Sequence, residues 1–207
     1  EAPMASISGA VYTETDERMS DVALQLTSEN SEFAATFQTL GDGAYAFDNL
    51  SMYHQYVLQA EKDDDPLNGV STLDILMIQR HILGLQELDS PFKLIAVDVN
   101  NSSSVSSADL IHLRKLILGI NDDFPNNHSW RFVDANQQFE DIYDPFPFRE
   151  RTEWRSLEQD EEGADFIGVK IGDVNNTYSP ARSGAISSRS ETTLEYTTID
   201  LEDGMIQ

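Results

Sequence analysis

An internal repeat with a spacing of 35 residues constrains the fold of this chain more than any other feature. Residues 70–74 open one apolar stretch that ends at Gly84, and residues 105–109 open another that ends at Gly119. Within each stretch apolar residues recur at helical spacing, namely Ile75, Ile78, Ile82 and Leu85, and then Leu110, Leu113, Ile117 and Ile120. The repeat therefore predicts two helices that stop at glycine, a common C-terminal cap, and that face each other through these stripes.

The loop before the second helix has the spacing of a calcium-binding loop. Side chains with oxygen atoms fall at positions 1, 3, 5, 9 and 12 of a twelve-residue frame, with the backbone carbonyl of Ser104 at position 7; they are Asp98, Asn100, Ser102, Ser106 and Asp109. Calcium takes about six to eight oxygen ligands. Ser106 and Asp109 also fit a helix N-cap with an acidic residue three positions later, but this alternative leaves Asp98 and Asn100 unexplained.

The first copy fits the same frame with one gap. Its candidate ligands at positions 1, 3, 7, 9 and 12 are Asp63, Asp65, the carbonyl of Gly69, Ser71 and Asp74. Position 5 is Leu67, whose side chain cannot bind a metal. The backbone of Leu67, the side chain of Asn68, water or a residue from elsewhere must fill that place. The two loops together predict two calcium ions.

Two later Asp-x-Asn triplets, at residues 134–136 and 173–175, resemble the start of the second loop. Asp173 and Asn175 follow a predicted strand at residues 166–171. Two interpretations stay open for them: they close back onto the incomplete first site, or they are turn residues, as Asp and Asn commonly are.

The duplicated loop and helix resembles the dockerin module over residues 61–121. The resemblance rests on aspartate at position 12, on Val70 and Val105 at position 8, and on the Ile-Leu-Gly ending of each helix. It implies a small extracellular module in which calcium supports the fold and which attaches one protein to another through a cohesin domain.

Dockerins choose their partners through positions 10 and 11 of each loop and the following helix turn. The resemblance therefore assigns partner binding to Thr72, Leu73, Gln79, Arg80, Ser107, Ala108, Arg114 and Lys115. The two sets differ from each other, which argues against symmetric docking. For the basic members a solvated helix face is the alternative, because cations are favoured near a helix C-terminus.

The first 62 residues predict short strands with alternating polar and apolar positions, separated by turn signals such as residues 41–43. The pattern around Ile7, Tyr45, Phe47 and Tyr56 resembles the small carboxypeptidase-regulatory-like or transthyretin-like β-sandwich domains. Such domains usually act as spacers in surface proteins.

Residues 122–178 show no long periodicity but are rich in aromatic residues, including both tryptophans, Trp130 and Trp154. These rings predict a wrap over the helical pair, with sugar binding as the alternative. The predicted fold is thus α+β: an immunoglobulin-like sandwich over residues 1–62, a dockerin-like pair of calcium-loop helices over 63–121, and an irregular aromatic extension over 122–178.

Residues 179–191 read as a linker by composition. Residues 192–207 predict one strand, which either begins a further sandwich domain or adds to the sheet of another copy.

Charge and composition narrow the function. Thirteen basic and 37 acidic residues give a net charge of −24, which opposes binding to nucleic acid or anionic lipid, and no apolar stretch is long enough to insert into a membrane. The acidity suits calcium and an extracellular, cell-surface location. With no cysteine, calcium would supply the cross-links that disulfides often give secreted proteins.

No catalytic pattern is present. The four histidines, His54, His81, His112 and His128, have no metal-binding spacing, and no serine lies in Gly-x-Ser-x-Gly. The sequence predicts a non-enzymatic, calcium-dependent protein-binding module for a cohesin-type or other extracellular domain. The alternative is a subunit or stalk of a self-associating filament or adhesin, in which calcium only rigidifies the chain.

Overall fold

A computed structural model describes residues 2–28 and 33–180 of the chain. The strand predicted over residues 192–207, and the linker predicted over 179–191 apart from Ser179 and Pro180, lie outside the described residues. Among the helices that the described ranges contain, none has the length and apolar character needed to cross a membrane.

Five strands lie within residues 1–62, where the alternating pattern predicts short strands. They are β1 (Met4–Thr13), β2 (Ala23–Ser28), β3 (Phe33–Gln38), β4 (Ala44–Ser51) and β5 (Tyr56–Glu61). After the helices come β6 (Trp130–Asp134), β7 (Arg151–Trp154) and β8 (Phe166–Lys170). The strands form two four-stranded sheets, in the orders β4-β1-β8-β6 and β3-β2-β5-β7.

The strands after the helices complete the same two sheets, which corrects the expectation of an irregular extension over residues 122–178. Strand β8 pairs in parallel with β1 and antiparallel with β6, and β7 pairs antiparallel with β5. The sheets therefore do not end at residue 62. These strands escaped the sequence pattern because all five positions of β6 and four of five in β8 are buried, and a strand covered on both faces shows no alternation.

The main core lies between the two sheets and draws on both ends of the chain. Ile7, Leu24 and Leu58 from the first five strands are fully buried against Trp130 and Phe166 from the last three. The Tyr45 hydroxyl donates a hydrogen bond to the carbonyl of Ala164. The sandwich is thus built from two segments that flank the helices in sequence.

Three helices cover the outer face of the first sheet. They are α1 (Thr72–Ile82), α2 (Pro91–Val97) and α3 (Ser107–Ile117). Ile78 of α1 and Leu113 of α3 share a second core with Val133 of β6 and Val169 of β8. Because successive side chains of a strand point to opposite faces, β6 and β8 contribute to both cores.

The predicted stripes are only partly buried. Ile78, Leu110 and Leu113 are buried, whereas Leu85 and Ile120 are mostly exposed. The reason is that each helix stops before the stripe does: both Gly84 and Gly119 adopt a φ of +66°, and the residue after each glycine leaves the helical phase.

Helix α2 was not predicted. It begins at the N-cap Ser90 with Pro91 in its first turn, and its last four residues are all buried. Seven residues are too few to show a helical period, and burial on every side removes the polar face that would reveal one. With α2 the second loop becomes part of a helix–loop–helix unit, α2–loop–α3.

Candidate metal centres and docking face

The second loop joins the C-terminal end of α2 to the N-terminal end of α3 and is folded around two fully buried carboxylates. Asp98 Oδ1 accepts a hydrogen bond from the Ser102 backbone N–H at 2.7 Å, and Oδ2 accepts one from the Ser103 N–H at 2.9 Å. Asn101 and Ser103 adopt a φ of 57°, a left-handed conformation that lets the chain turn tightly. The turn wraps residues 99–103 around the Asp98 side chain.

The other carboxylate, Asp109, caps α3. Its Oδ2 accepts hydrogen bonds from the Ser106 N–H at 2.9 Å and the Ser106 hydroxyl at 3.0 Å, and its Oδ1 accepts one from the Asn100 N–H at 3.3 Å. A capping box is present here and at Ser71 in the first copy. Helix capping therefore accounts for the positions of Ser106 and Asp109. It does not account for Asp98 or for the Asn100 side chain, which take no part in the cap.

One buried oxygen in this loop has no partner. Asn100 Oδ1 is inaccessible to solvent and accepts no hydrogen bond from the described residues. Burial raises the pKa of Asp109 above its ordinary value, and the like charge of Asp98 adds to the rise. A divalent cation would pair with the amide oxygen and reverse the repulsion between the carboxylates.

Hydrogen bonds join the six predicted ligands of the second loop in two groups of three. Ser102 Oγ lies 3.4 Å from the Ser104 carbonyl and 2.9 Å from the Ser104 hydroxyl. Ser102 is also bonded to Asp98, while Asn100 and Ser106 are bonded to Asp109. The loop thus gathers two carboxylates, an amide, hydroxyls and a carbonyl, the hard oxygen donors that calcium prefers.

Two residues outside the loop support Asp98, and loop spacing gave no signal for either. Arg131 Nη1 lies 3.6 Å from Asp98 Oδ2, and the same guanidinium is held by two 2.8 Å hydrogen bonds to Glu150. Asn127 Nδ2 donates to the Asp98 carbonyl at 2.8 Å. Both contacts come from segments that only the tertiary fold brings near.

The start of the first loop is arranged differently. Asp63 Oδ1 accepts the Ser129 N–H at 2.8 Å, and Oδ2 lies 3.0 Å from His128 Nδ1. Burial opposes the change, but these hydrogen bonds lower the pKa of Asp63. No group of three or more acidic or histidine side chains able to hold a metal occurs in the described part of the chain, and this applies to the second loop as well as to Asp63 and Asp65. Their metal role stays a prediction.

The end of the first loop is met by residues 173–178. Thr177 Oγ1 donates to the Gly69 carbonyl at 2.9 Å, and the Val174 N–H donates to Asp74 Oδ1 at 3.0 Å. Asn68 forms two hydrogen bonds with the Ser179 backbone, at 2.9 and 3.1 Å. Of the two interpretations of the 173–175 triplet, the structure favours the one that brings it onto the first loop.

The other triplet is a turn. Asp134 Oδ1 accepts the Asn136 N–H at 2.8 Å, and Oδ2 accepts the Thr152 hydroxyl at 3.1 Å and lies 3.7 Å from Arg149 Nη1. These contacts hold the end of β6 against β7 and against Arg149, which lies two residues before β7. Asp134 and Asn136 therefore have structural partners that account for them.

A buried lysine lies under the first loop. Lys170 is 1 % exposed, and its ammonium donates to the carbonyls of Pro66 at 3.0 Å and Ser129 at 3.2 Å. Burial lowers its pKa to about 8, although Asp173 and the acidic residues 63–65 act in the opposite direction. Nothing in the sequence pattern distinguishes this lysine from a surface one.

Replacing Lys170 with methionine is expected to lower the free energy of unfolding by about 1–3 kcal/mol, because the Pro66 and Ser129 carbonyls would lose their buried donor. Urea unfolding in saturating calcium measures the change. Lys115→Met is the matched control, since Lys115 is exposed and its replacement is expected to change stability by about 0.5 kcal/mol or less. Equal stability of Lys170→Met and the parent chain would show that the buried ammonium is dispensable.

The aromatic residues of the segment 122–178 are mainly core residues. Phe124, Trp130 and Phe132 are buried, and others pack partly buried against the two cores: Phe139, Phe146, Phe148 and Trp154. Tyr143 is 54 % exposed. This placement favours packing over a sugar-binding platform.

The predicted partner-binding residues lie at the surface. All are exposed except Ala108, which is half-buried. The repeat also places apolar residues at equivalent exposed positions: Leu83 and Leu118 are 61 % and 68 % exposed, and Leu85 and Ile120 are 72 % and 66 % exposed. Leu76 and Ile111 form a further exposed pair. We call these six residues the docking face.

Comparisons with known proteins give little guidance. No protein-family model matches the chain, and no curated protein matches it. Among solved structures, one similar chain is a C-terminal fragment of the pilus adhesin SpaC from Lactobacillus rhamnosus GG, with a TM-score of 0.28 and 18 % sequence identity. The match covers 34 % of this chain and 26 % of the adhesin fragment.

Proposed function

We propose that this chain is an extracellular, calcium-dependent binding module that presents the docking face to a cohesin-type domain of another protein. The observation that carries the proposal is Asn100 Oδ1, a buried amide oxygen without a partner in a loop that begins at buried Asp98 and ends at buried Asp109. The proposal assigns no catalytic activity to the chain.

The energetics of the second loop support calcium. A buried carboxylate is costly unless a positive charge or hydrogen bonds compensate it. Arg131 lies near Asp98, but Asp109 takes part in none of the ion pairs within the described ranges. Calcium bound among the loop oxygens would compensate both carboxylates and the Asn100 amide.

Calcium would also organise the docking face. Helix α3 begins directly after the loop, and Asp109 lies in its first turn. Helix α1 contacts α3 along the second core, through residues such as Ile78 and Leu113. Loss of the ion would leave the N-terminal end of α3 less firmly held. Because α1 packs against α3, the positions of the docking-face residues on both helices would then change.

The face also indicates the chemistry of its partner. Arg80 precedes Leu83 by three residues, and Lys115 precedes Leu118 by three, so each pair is one helical turn apart. With Arg114, these are three of only thirteen basic residues in the chain, and all three are exposed. An apolar patch with a basic edge suits a partner whose own apolar patch has an acidic edge. Exposed apolar residues recur at equivalent positions of both repeats. A helix surface that contacts only solvent has no need of such a recurrence, which is typical of a binding surface.

The double variant Leu83→Ser/Leu118→Ser is expected to weaken binding to a cohesin domain at least about tenfold, since apolar anchors at interface centres often contribute about 1–2 kcal/mol each. Surface plasmon resonance against a panel of cohesin domains, in calcium and in EGTA, measures the effect. Leu40→Ser is the matched control, because Leu40 is 73 % exposed on the sandwich, away from the helices.

Two results would contradict this proposal. If the double variant and Leu40→Ser bound equally well, the docking face would be wrongly assigned. If no cohesin bound and light scattering showed growth into long particles with calcium, the filament alternative would replace it. Under that alternative, deletion of residues 192–207 should abolish the growth.

A further inference from the structure

We infer that a second calcium site is assembled from two distant segments: Asp173, Asn175 and Thr177 supply one half, and the Gly69 carbonyl, Ser71 and Asp74 supply the other. The inference deepens the proposed function and rests on it for the identity of the cation. It replaces Asp63, Asp65 and position 5 of the contiguous first loop with residues from the C-terminal side of β8.

The sequence carries the first observation. Residues 98–102 read Asp-Val-Asn-Asn-Ser, and residues 173–177 read Asp-Val-Asn-Asn-Thr. The match retains every side chain that the second loop uses at positions 1, 3 and 5, with threonine in place of serine. The first half of a calcium loop thus occurs a second time, without the second half that normally follows it.

The backbone geometry matches as well. Asp98 accepts hydrogen bonds from the N–H groups four and five residues later, and Asp173 does the same with Thr177 at 2.9 Å and Tyr178 at 2.7 Å. Asn176 has a φ of 58° where Asn101 has 57°. A similar turn is therefore folded around both aspartates, although Asp98 accepts the two N–H groups on different oxygens and Asp173 accepts both on Oδ2.

The missing second half lies opposite this turn, in the first repeat. Thr177 Oγ1 is 2.9 Å from the Gly69 carbonyl, as Ser102 Oγ is 3.4 Å from the Ser104 carbonyl. Asp74 Oδ1 accepts the N–H of Val174, the second residue of its turn, at 3.0 Å, whereas Asp109 Oδ1 accepts the N–H of Asn100, the third residue of the other turn, at 3.3 Å. Gly69 and Asp74 hold positions 7 and 12 of their repeat, so the two halves make one frame.

An independent observation points to a ligand. Asn175 Oδ1, like Asn100 Oδ1, is inaccessible to solvent and accepts no hydrogen bond from the described residues. Asp74 is 0 % exposed and Asp173 is 2 % exposed, and no ion pair of the described ranges includes either carboxylate. Two buried carboxylates and the Asn175 amide oxygen therefore belong to the same two segments. The Lys170 ammonium acts on Asp173 but forms no ion pair with it among those of the described ranges.

The surroundings are shaped for this carboxylate. A Cβ atom on Gly69 would lie 2.2 Å from Asp173 Oδ2, and the residue has a φ of +77°. Only glycine permits both the backbone conformation and the close approach. Within the described residues, the hydrogen bonds of Asp63, by contrast, are with His128 and Ser129 and not with residues 69–74.

Calorimetric titration of the full chain with calcium tests the inference through three isosteric variants. The parent chain is expected to bind two ions, Asp173→Asn one, and Asp98→Asn one. Asp63→Asn is the matched control and is expected to retain both, because Asp63 lies outside the split site. Far-UV circular dichroism checks that each variant is folded, and Asn175→Ala replaces Asp173→Asn if the latter is not.

The outcomes separate the two proposals. If Asp63→Asn lost an ion while Asp173→Asn and Asn175→Ala retained two, the contiguous loop would be correct and this inference overturned. If the parent chain bound one ion, lost only in Asp98→Asn, the split site would fail and the proposed function would stand. No binding by the parent chain at millimolar calcium would overturn both.

Discussion

Removal of calcium with EGTA is expected to lower the melting temperature of this chain by on the order of 15–30 °C. At calcium concentrations a thousandfold above the dissociation constant, each ion bound only by the folded state adds about 4 kcal/mol to the free energy of unfolding. For a chain of this size each kcal/mol shifts the melting temperature by about 2–4 °C. Two ions therefore give the expected range.

Repulsion between buried carboxylates is the physical cause of the expected decrease in melting temperature. Without the ions, Asp98 and Asp109 remain buried at the ends of one loop, and burial and the nearby Asp74 carboxylate raise the pKa of Asp173 to about 6. Folding at neutral pH must then keep like charges together in a medium that solvates them poorly.

Differential scanning calorimetry in calcium, in EGTA and in EGTA with magnesium measures the shift. Asp98→Asn should show roughly half of it, because one of the two ions remains. Magnesium is expected to restore little stability, since it demands a more rigid octahedral shell than these loops offer. Identical melting curves in calcium and EGTA would contradict the calcium assignment.

A fragment that ends at residue 62 is expected to remain unfolded, although the sequence suggests a complete sandwich there. It would contain five strands but would lose Trp130, Phe132, Leu157 and Phe166 from the main core. Strand β1 would lose β8, its parallel neighbour, and Tyr45 would lose its hydrogen-bond acceptor at Ala164. Loss of a single buried aromatic residue commonly costs about 3–5 kcal/mol, which alone approaches the stability of a small domain.

Circular dichroism and the dispersion of amide signals in a two-dimensional NMR spectrum would measure folding of residues 1–62. The control is the fragment 1–180, which keeps the eight strands of the described ranges and the residues of both proposed metal sites and is expected to unfold in one cooperative transition. A folded 1–62 fragment with a sharp melting transition would show that residues 1–62 form an independent domain and do not need β6, β7 and β8 to fold.

The repeat revealed what depends on local spacing. It predicted α1, α3 and both glycine stops, because a helical period is written in consecutive residues. It also predicted that six oxygen-bearing residues share the second loop, and their role as calcium ligands stays a prediction. Strands β6 and β8 were missed because they are buried on both faces. The burial of Lys170 was missed because its hydrogen-bond acceptors are backbone carbonyls. Every residue carries such a group, so the sequence does not show where the acceptors are.

The loop at residues 63–74, which the sequence predicts to bind calcium, shows a different limit. Counting back from Asp74 leads to Asp63 and Asp65, and the frame looks nearly filled. The better match to the Asp98 segment begins at Asp173, about a hundred positions away from Asp74. The identical Asp-Val-Asn-Asn sequence was a usable signal, but only the fold shows which half-loop faces it.

The parallel pairing of β1 with β8 also governs when this chain can reach its native state. Val11 lies in register with Phe166, so β1 can pair with β8 only after about 155 further residues have been synthesised. Pairings across such sequence distances are slow to form, and an unpaired strand edge can associate with other chains in the meantime. Until residue 170 has been synthesised, β1 has only β4 beside it, and its other edge is open. The architecture thus delays closure of the first sheet until almost all of the described chain exists.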